Sequence, residues 1–216
     1  MYVQEVLKMI EGGEGTSIEF KRKLKTPEKI AKEICAFANT KGGYIFVGVD
    51  DDKSIVGIKS EKSEADIVER ACKFSVEPEI KPEIEIIEIQ GKDVMVVAIK
   101  EGNRKPYQAI LIDETDGKEY RQVFIRVGEN SMPASSEMKR LMKAQTDGKP
   151  LRLGIGEKEQ RLFQYLEMND RISVQEYAEL VNISRRRAGR LLIRLVRAGV
   201  IQMTTDTHHD YYSLIR

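Results

Sequence analysis

Residues 14–57, EGTSIEFKRKLKTPEKIAKEICAFANTKGGYIFVGVDDDKSIVG, constrain the fold most, because their hydrophobic period switches from strand to helix and back to strand. Ile18, Phe20 and Leu24 are apolar anchors around an alternating Glu19 and Lys21 face, the signature of a half-buried strand. Pro27 opens the next segment, and Ile30, Ile34, Phe37 and Ala38 recur at helical spacing up to Thr40. Gly42 and Gly43 stop that helix and turn the chain, since glycine carries no Cβ penalty at positive φ. YIFVGV then predicts a buried strand, DDDKS a polar turn and IVGI a returning strand.

The same stretch concentrates charge. Lys21, Arg22, Lys23 and Lys25 form a dense cationic cluster suited to an anion, which together with the Gly-Gly turn predicts a phosphate-handling site. Glu14 and Glu19 are spaced E-x4-E, and Asp50 or Asp51 approaches them if the strand before Asp50 pairs beside the one holding Glu19. Three carboxylates gathered beside a phosphate are what Mg²⁺ or Mn²⁺ needs to polarise a phosphodiester and generate hydroxide. The opposing expectation is that Glu19 pairs with basic neighbours such as Lys21 or Arg22 and that the Asp run solvates a hairpin.

Further along, residues 61–75 predict a helix, and EIEIIEIQGKDVMVVAIKE predicts two strands joined by a tight Gly-Lys turn. Residues 119–127, EYRQVFIRV, predict another strand, and Lys105 and Pro106 fall in the loop before it. A helical pattern starts near Ser135. Glycines and a proline at 147–156 then predict a linker between a domain at 1–146 and a smaller one at 157–216.

That smaller domain carries its own signature. Glu157–Glu167 is an amphipathic helix, Ser173 with Glu176 forms a capping box for a second, and Ser184 caps a third, RRRAGRLLIRLVRAG. On the third helix Ala188, Leu191, Leu192 and Leu195 make an apolar stripe, while Arg186, Arg190, Arg194 and Arg197 line another face. VIQMTTDTHHDYYSLI predicts two strands around a polar tip holding His208 and His209, which completes a winged helix-turn-helix. Such a helix fits the major groove, where arginine forks onto guanine edges or clamps phosphates. With no acid between Arg185 and Arg197, the candidate DNA contacts are Arg185, Arg186, Arg187, Arg190 and Arg194, joined by Lys21, Arg22, Lys23, Lys105 and Arg126 of the first domain. The opposing expectation is a solvated basic face, or a winged helix that contacts protein and makes this chain an interaction adaptor.

The segments IEFKR, ICAFANTKGGYIFVGVDDD, KPYQAI and VFIRVGENSMPAS, in that order, resemble the AlbA-like domain of the Schlafen family. The resemblance implies a mixed α/β (α+β) nucleic-acid-binding domain, often fused to a helix-turn-helix in bacterial and archaeal regulators. It also implies that Glu14 and Glu19 match the two Glu of the metal-dependent endonuclease site of some animal Schlafen proteins, whose following Asp falls within the run Asp50, Asp51 and Asp52 here, with Asp50 the candidate. The zinc-binding Cys and His set of those proteins has no counterpart here. Two facing lobes in the animal proteins further imply a homodimer for a chain with one lobe.

Composition bounds these readings. A hydrophobic fraction of 41% with 33% charged residues describes a folded soluble chain. Net charge is +1, yet residues 151–216 hold 11 Lys and Arg against 8 Asp and Glu, so the cationic end is the C-terminal one. No run is long enough to span a bilayer and MYVQEVLKMIEGGEG lacks a signal pattern, which predicts a cytoplasmic protein. Cys35 and Cys72 are expected to be buried free thiols. No GxxxxGK[ST] loop is present to cradle a nucleotide. The expected function is therefore a DNA-binding transcriptional regulator that needs no cofactor; the alternative is a Mg²⁺- or Mn²⁺-dependent nuclease acting on structured RNA or DNA.

Overall fold

The computed structural model describes residues 1–146, 154–206 and 209–215. Contacts divide the chain into two units, Met1–Ala134 and Ser135–Arg216. No helix among the described residues is long and apolar enough to cross a membrane.

The first unit begins with helix α1 (Val3–Gly12), strand β1 (Ile18–Lys21), helix α2 (Pro27–Asn39) and strand β2 (Gly43–Val47). It continues through α3 (Glu61–Arg70), which ends in a wide turn over Ala71–Ser75, and then β3 (Val76–Glu77), β4 (Glu83–Ile89) and β5 (Lys92–Ile99). Strands β6 (Gln108–Ile112), β7 (Glu119–Gln122), β8 (Phe124–Val127) and β9 (Asn130–Pro133) complete it. The main sheet has the order β1-β2-β5-β4, in which β1 and β2 are parallel and Glu19 lies beside Ile45. A parallel pair needs a crossover, and α2 supplies it.

Alternation on β2 and β5 sends apolar side chains to both faces of this sheet. Ile45, Val47, Met95, Val97 and Ile99 join Ile34 and Phe37 of α2 in one core. Phe46, Val94 and Val96 join Phe20, Ile87 and Ile89 in a second core, closed by Val6 and Ile10 of α1. A sheet apolar on both faces needs a cover on each. Pro27 at the first turn and the Thr26 hydroxyl, which accepts from the Lys29 amide at 3.4 Å, start α2. The Gly-Gly turn has a packing cause. A Cβ on Gly43 would lie 2.4 Å from the Phe37 ring and 2.7 Å from the Ser17 carbonyl, and Gly42 sits at φ +75° against the Ile99 carbonyl.

Several elements differ from the sequence reading. After β2 a single bridge between Val49 and Ile55 replaces the expected returning strand. The β4–β5 turn is made by Gln90 and Gly91, both at positive φ, which suits the twist of a tight hairpin better than Gly-Lys. Residues 119–127 break at Val123 into β7, which pairs with β6, and β8, which pairs with β9. Helix α1 was not anticipated.

The second unit contains α4 (Ser136–Thr146), α5 (Glu157–Met168), β10 (Ile172–Ser173), α6 (Val174–Leu180), α7 (Arg185–Arg197), β11 (Ile201–Thr205) and β12 (Asp210–Leu214). Helix α4, expected in the first domain, packs with this unit instead, because buried Gly189 of α7 lets Glu137 approach. Leu162, Leu166, Tyr177, Ala188, Leu192, Leu195 and Tyr212 form the core. The Ser173–Glu176 capping box is present in both directions, with the Glu176 amide donating to the Ser173 hydroxyl at 3.2 Å and the Ser173 amide to the Glu176 carboxylate at 2.7 Å. The sheet has the antiparallel order β10-β12-β11, with Ile172 beside Tyr212 and Met203 beside Tyr212 on the other side. Most of the expected linker, and His208, lie outside the described residues.

Candidate nucleic-acid interface

Parallel pairing of β1 and β2 satisfies the condition for the acids to approach, and Glu14 lies near enough to Glu19 and Asp51 to feel their charge, but Glu19 and Asp50 are each taken up by a cation. Among the described residues no group of three His, Cys, Asp or Glu side chains is placed to hold a metal ion. Glu19 is buried, with one carboxylate oxygen on the Lys21 ammonium and the other accepting from the Arg126 guanidinium at 2.7 Å. Asp50 pairs with Arg22 at 2.5 Å. Glu14 accepts from the Phe20 amide at 2.7 Å. Its carboxyl is held above the usual range, chiefly by partial burial, with Glu19 and Asp51 adding to the rise while the Phe20 amide and Lys21 oppose it.

Arg126, expected at a nucleic-acid surface, is instead the hub of a buried network. Its side chain is 0% exposed, and Nη1 donates to Glu19, to Glu33 at 3.2 Å and to the Ser131 hydroxyl at 3.1 Å. Nη2 donates to the Gly15 carbonyl at 2.6 Å, and the guanidinium lies 4.8 Å from the Phe37 ring centroid. One cation therefore spans β1, α2, β8 and β9 and neutralises two buried carboxylates. Its Nε has no hydrogen-bond partner among the described residues. Glu33 and Ser131, which also bond each other, were missed by the sequence reading. The signal for Glu33 was present: it falls on the same helical face as Ile30, Ile34 and Phe37, where an acid must be paired.

Asn39 was missed as well. It is buried at the end of α2, donates to the Tyr107 and Phe124 carbonyls at 2.9 Å each and accepts from the Tyr107 amide at 2.8 Å. Lys105 is drawn into the same junction, its ammonium donating to the Thr40 carbonyl at 2.9 Å and to Glu101 at 2.5 Å. So Lys105 and Arg126 hold the fold together. Arg22 and Lys23 remain exposed, and Lys21 is partly covered.

In the second unit the arginines of α7 separate by partner. Arg194 donates to buried Glu159 at 3.0 Å, which fixes α7 to α5. Arg185 donates to Gln175 at 2.6 Å. Arg186, Arg187 and Arg190 are exposed, and among the described residues their guanidinium groups make no ion pair or hydrogen bond. The Ser184 hydroxyl caps the helix they start, accepting from the Arg187 amide at 3.4 Å. This face is charged and exposed on a capped helix. The Tyr177 hydroxyl of α6 is buried and has no hydrogen-bond partner among the described residues, and burial pushes it up to about 12. His209 stands at the described edge of the β11–β12 hairpin, where its amide donates to Asp206 at 2.9 Å.

Residues 14–135 match the family model described as Schlafen, AlbA_2, a match that points to nucleic-acid binding. Among solved structures, the DIP2311 protein from Corynebacterium diphtheriae is similar at 21% identity and a TM-score of 0.47, over 69% of this chain and 32% of that one. The N-terminal domain of a RecG-related protein from Nitrosomonas europaea is similar at 22% identity and a TM-score of 0.40, over 61% of this chain and 88% of that one. This chain spans about a third of the length of the Corynebacterium protein it matches.

Proposed function

Because this chain belongs to the Schlafen, AlbA_2 family, we propose that it is a nucleic-acid-binding regulator of transcription whose DNA contacts come mainly from α7. The second unit is read as a winged helix-turn-helix, with α6 and α7 as the paired helices and β11–β12 as the wing. The observation that carries the reading is the exposed trio Arg186, Arg187 and Arg190, unpaired among the described residues, in the first half of a capped helix. Inserted into a major groove, the N-terminal residues of such a helix reach deepest, so Arg186 and Arg187 meet base edges and Arg190 the flanking phosphates. Arg185 is partly committed to Gln175, and Arg194 is committed to Glu159. A homodimer supplies the two-fold symmetry that paired half-sites require.

Nuclease chemistry is the competing reading. It would require Arg126 and Lys21 to release Glu19, and Arg22 to release Asp50, before a divalent cation gains its ligands. Equilibrium binding of the full chain to random-sequence duplex DNA, followed by fluorescence anisotropy, tests the proposal. Arg186→Ala/Arg190→Ala is expected to weaken binding at low salt by about tenfold, since affinity for random-sequence duplex comes essentially from cation–phosphate contacts. Mn²⁺-dependent cleavage that disappears in Glu14→Gln and Glu19→Gln would establish the nuclease instead. A chain that binds no DNA at all would fit the adaptor reading.

A further inference from the structure

We infer that the lysine-lined hollow at the start of α2 is a binding site for a ligand that presents adjacent phosphate groups. The hollow is about 220 Å³ and is lined by Lys21, Lys23, Leu24, Lys25, Lys29 and Ile30. It arises from local geometry. Leu24 and Ile30 are drawn into the core, at 7% and 3% exposure, and the lysines flanking them are left standing around the depression.

Three features select the ligand. Among the described residues the ammonium groups of Lys23, Lys25 and Lys29 have neither ion pair nor hydrogen bond, which leaves their charge available to an anion. Lys21 is paired with Glu19, but that carboxylate is already shared with Arg126, which leaves the rim strongly positive. Glu28 lines an adjoining depression with Lys32 and Glu33, and Lys29 stands between the two. Four lysines line the hollow; Glu19 pairs with Lys21 and the Glu64 carboxylate accepts from the Leu24 amide at 3.0 Å, so the cations outnumber the acids that reach the lining.

The chemistry of the rim is that of phosphate recognition. Ammonium groups act as compact point charges that approach a multiply charged anion from several directions, unlike the planar fork that arginine offers a carboxylate. The first turn of α2 adds positive potential of the same sign. At about 220 Å³ the hollow is smaller than the roughly 300–1,000 Å³ of sites that enclose a drug-sized molecule. It thus takes the phosphate portion of its ligand and leaves the remainder outside. Two sources share this chemistry: the polyphosphate of a free nucleotide and consecutive phosphates of a nucleic-acid strand. The site belongs to the first unit and does not rest on the role given to α7.

The test is titration of the full chain with inorganic tripolyphosphate at fixed ionic strength, read by calorimetry and by thermal shift. Wild type is expected to bind and to gain stability. Lys25→Ala/Lys29→Ala, which alters only exposed side chains, is expected to weaken binding by about tenfold or more, while Lys25→Arg/Lys29→Arg keeps most of it. Displacement of tripolyphosphate by a nucleoside triphosphate identifies a small-molecule ligand, and displacement only by a single-stranded oligonucleotide identifies a strand. No binding by wild type, equal binding by the alanine variant, or loss in Arg186→Ala/Arg190→Ala in place of the lysine variant would each overturn the assignment.

Discussion

Arg126 on β8 and the trio Arg186, Arg187 and Arg190 on α7 are the same residue type in opposite circumstances. Arg126 is sealed from solvent and surrounded by Glu19, Glu33, Ser131 and main-chain carbonyls. The α7 trio stands in solvent without ion pairs among the described residues. A cation whose donors are consumed inside the protein supports the fold, whereas one whose donors face water is available to a ligand. Arginine count alone does not distinguish the two.

The largest expected effect lies at the buried end of this comparison. Arg126→Ala leaves Glu19 and Glu33 without their cation, and removing one partner of a buried pair costs about 3–5 kcal/mol. Urea denaturation should show that loss, and Arg126→Lys should recover only part of it, because an ammonium cannot span Glu19, Glu33 and the Gly15 carbonyl together. A variant as stable as wild type would show the network to be incidental.

An intermediate effect sharpens the distinction within one helix. Arg194 sits on the same α7 as the exposed trio but is bonded to buried Glu159, so Arg194→Ala should lower stability by about 1–3 kcal/mol. Arg190→Ala, one turn earlier, should change it by no more than about 0.5 kcal/mol. Equal effects in the same denaturation assay would dissolve the proposed division of the stripe.

The smallest effect is a pH dependence at Glu14. Its carboxyl titrates above the usual 4.5, so folding disfavours the charged form. The resulting stability is present below the unfolded value and is lost as pH rises through the folded one. Glu14→Gln cannot titrate and keeps an oxygen to accept from the Phe20 amide. Its stability relative to wild type should therefore rise as pH climbs above the ordinary carboxylate value of 4.5. Thermal melts on both sides of that value check the sign; a constant difference would place Glu14 in an environment no different from water.

Regular patterns made much of the molecule legible. Pro27 with the Ile30, Ile34 and Phe37 spacing predicts α2, and Ser173 with Glu176 predicts the start of α6, because caps and hydrophobic periods are local properties. The α1 signal was also local, in Val3, Val6, Leu7 and Ile10, and was overlooked. The interruption at Val123 was not legible, since whether EYRQVFIRV is one strand or two depends on which partners its halves meet. The candidate sites show the same limit. Clusters of Lys and Arg can be read directly, but Glu33, Ser131 and Asn39 acquire their roles only when α2, β6, β8 and β9 come together.

The salt dependence of DNA affinity tests the central claim most directly. Wild type and Arg186→Ala/Arg190→Ala, first shown to share one urea midpoint, are titrated with the same duplex across a range of salt concentrations. If the trio meets DNA, the logarithmic slope of the variant should be shallower by about 0.9 for each phosphate contact removed, with a loss of affinity at every salt concentration. An unchanged slope and affinity would contradict the account and place the DNA contacts on some other surface of the chain.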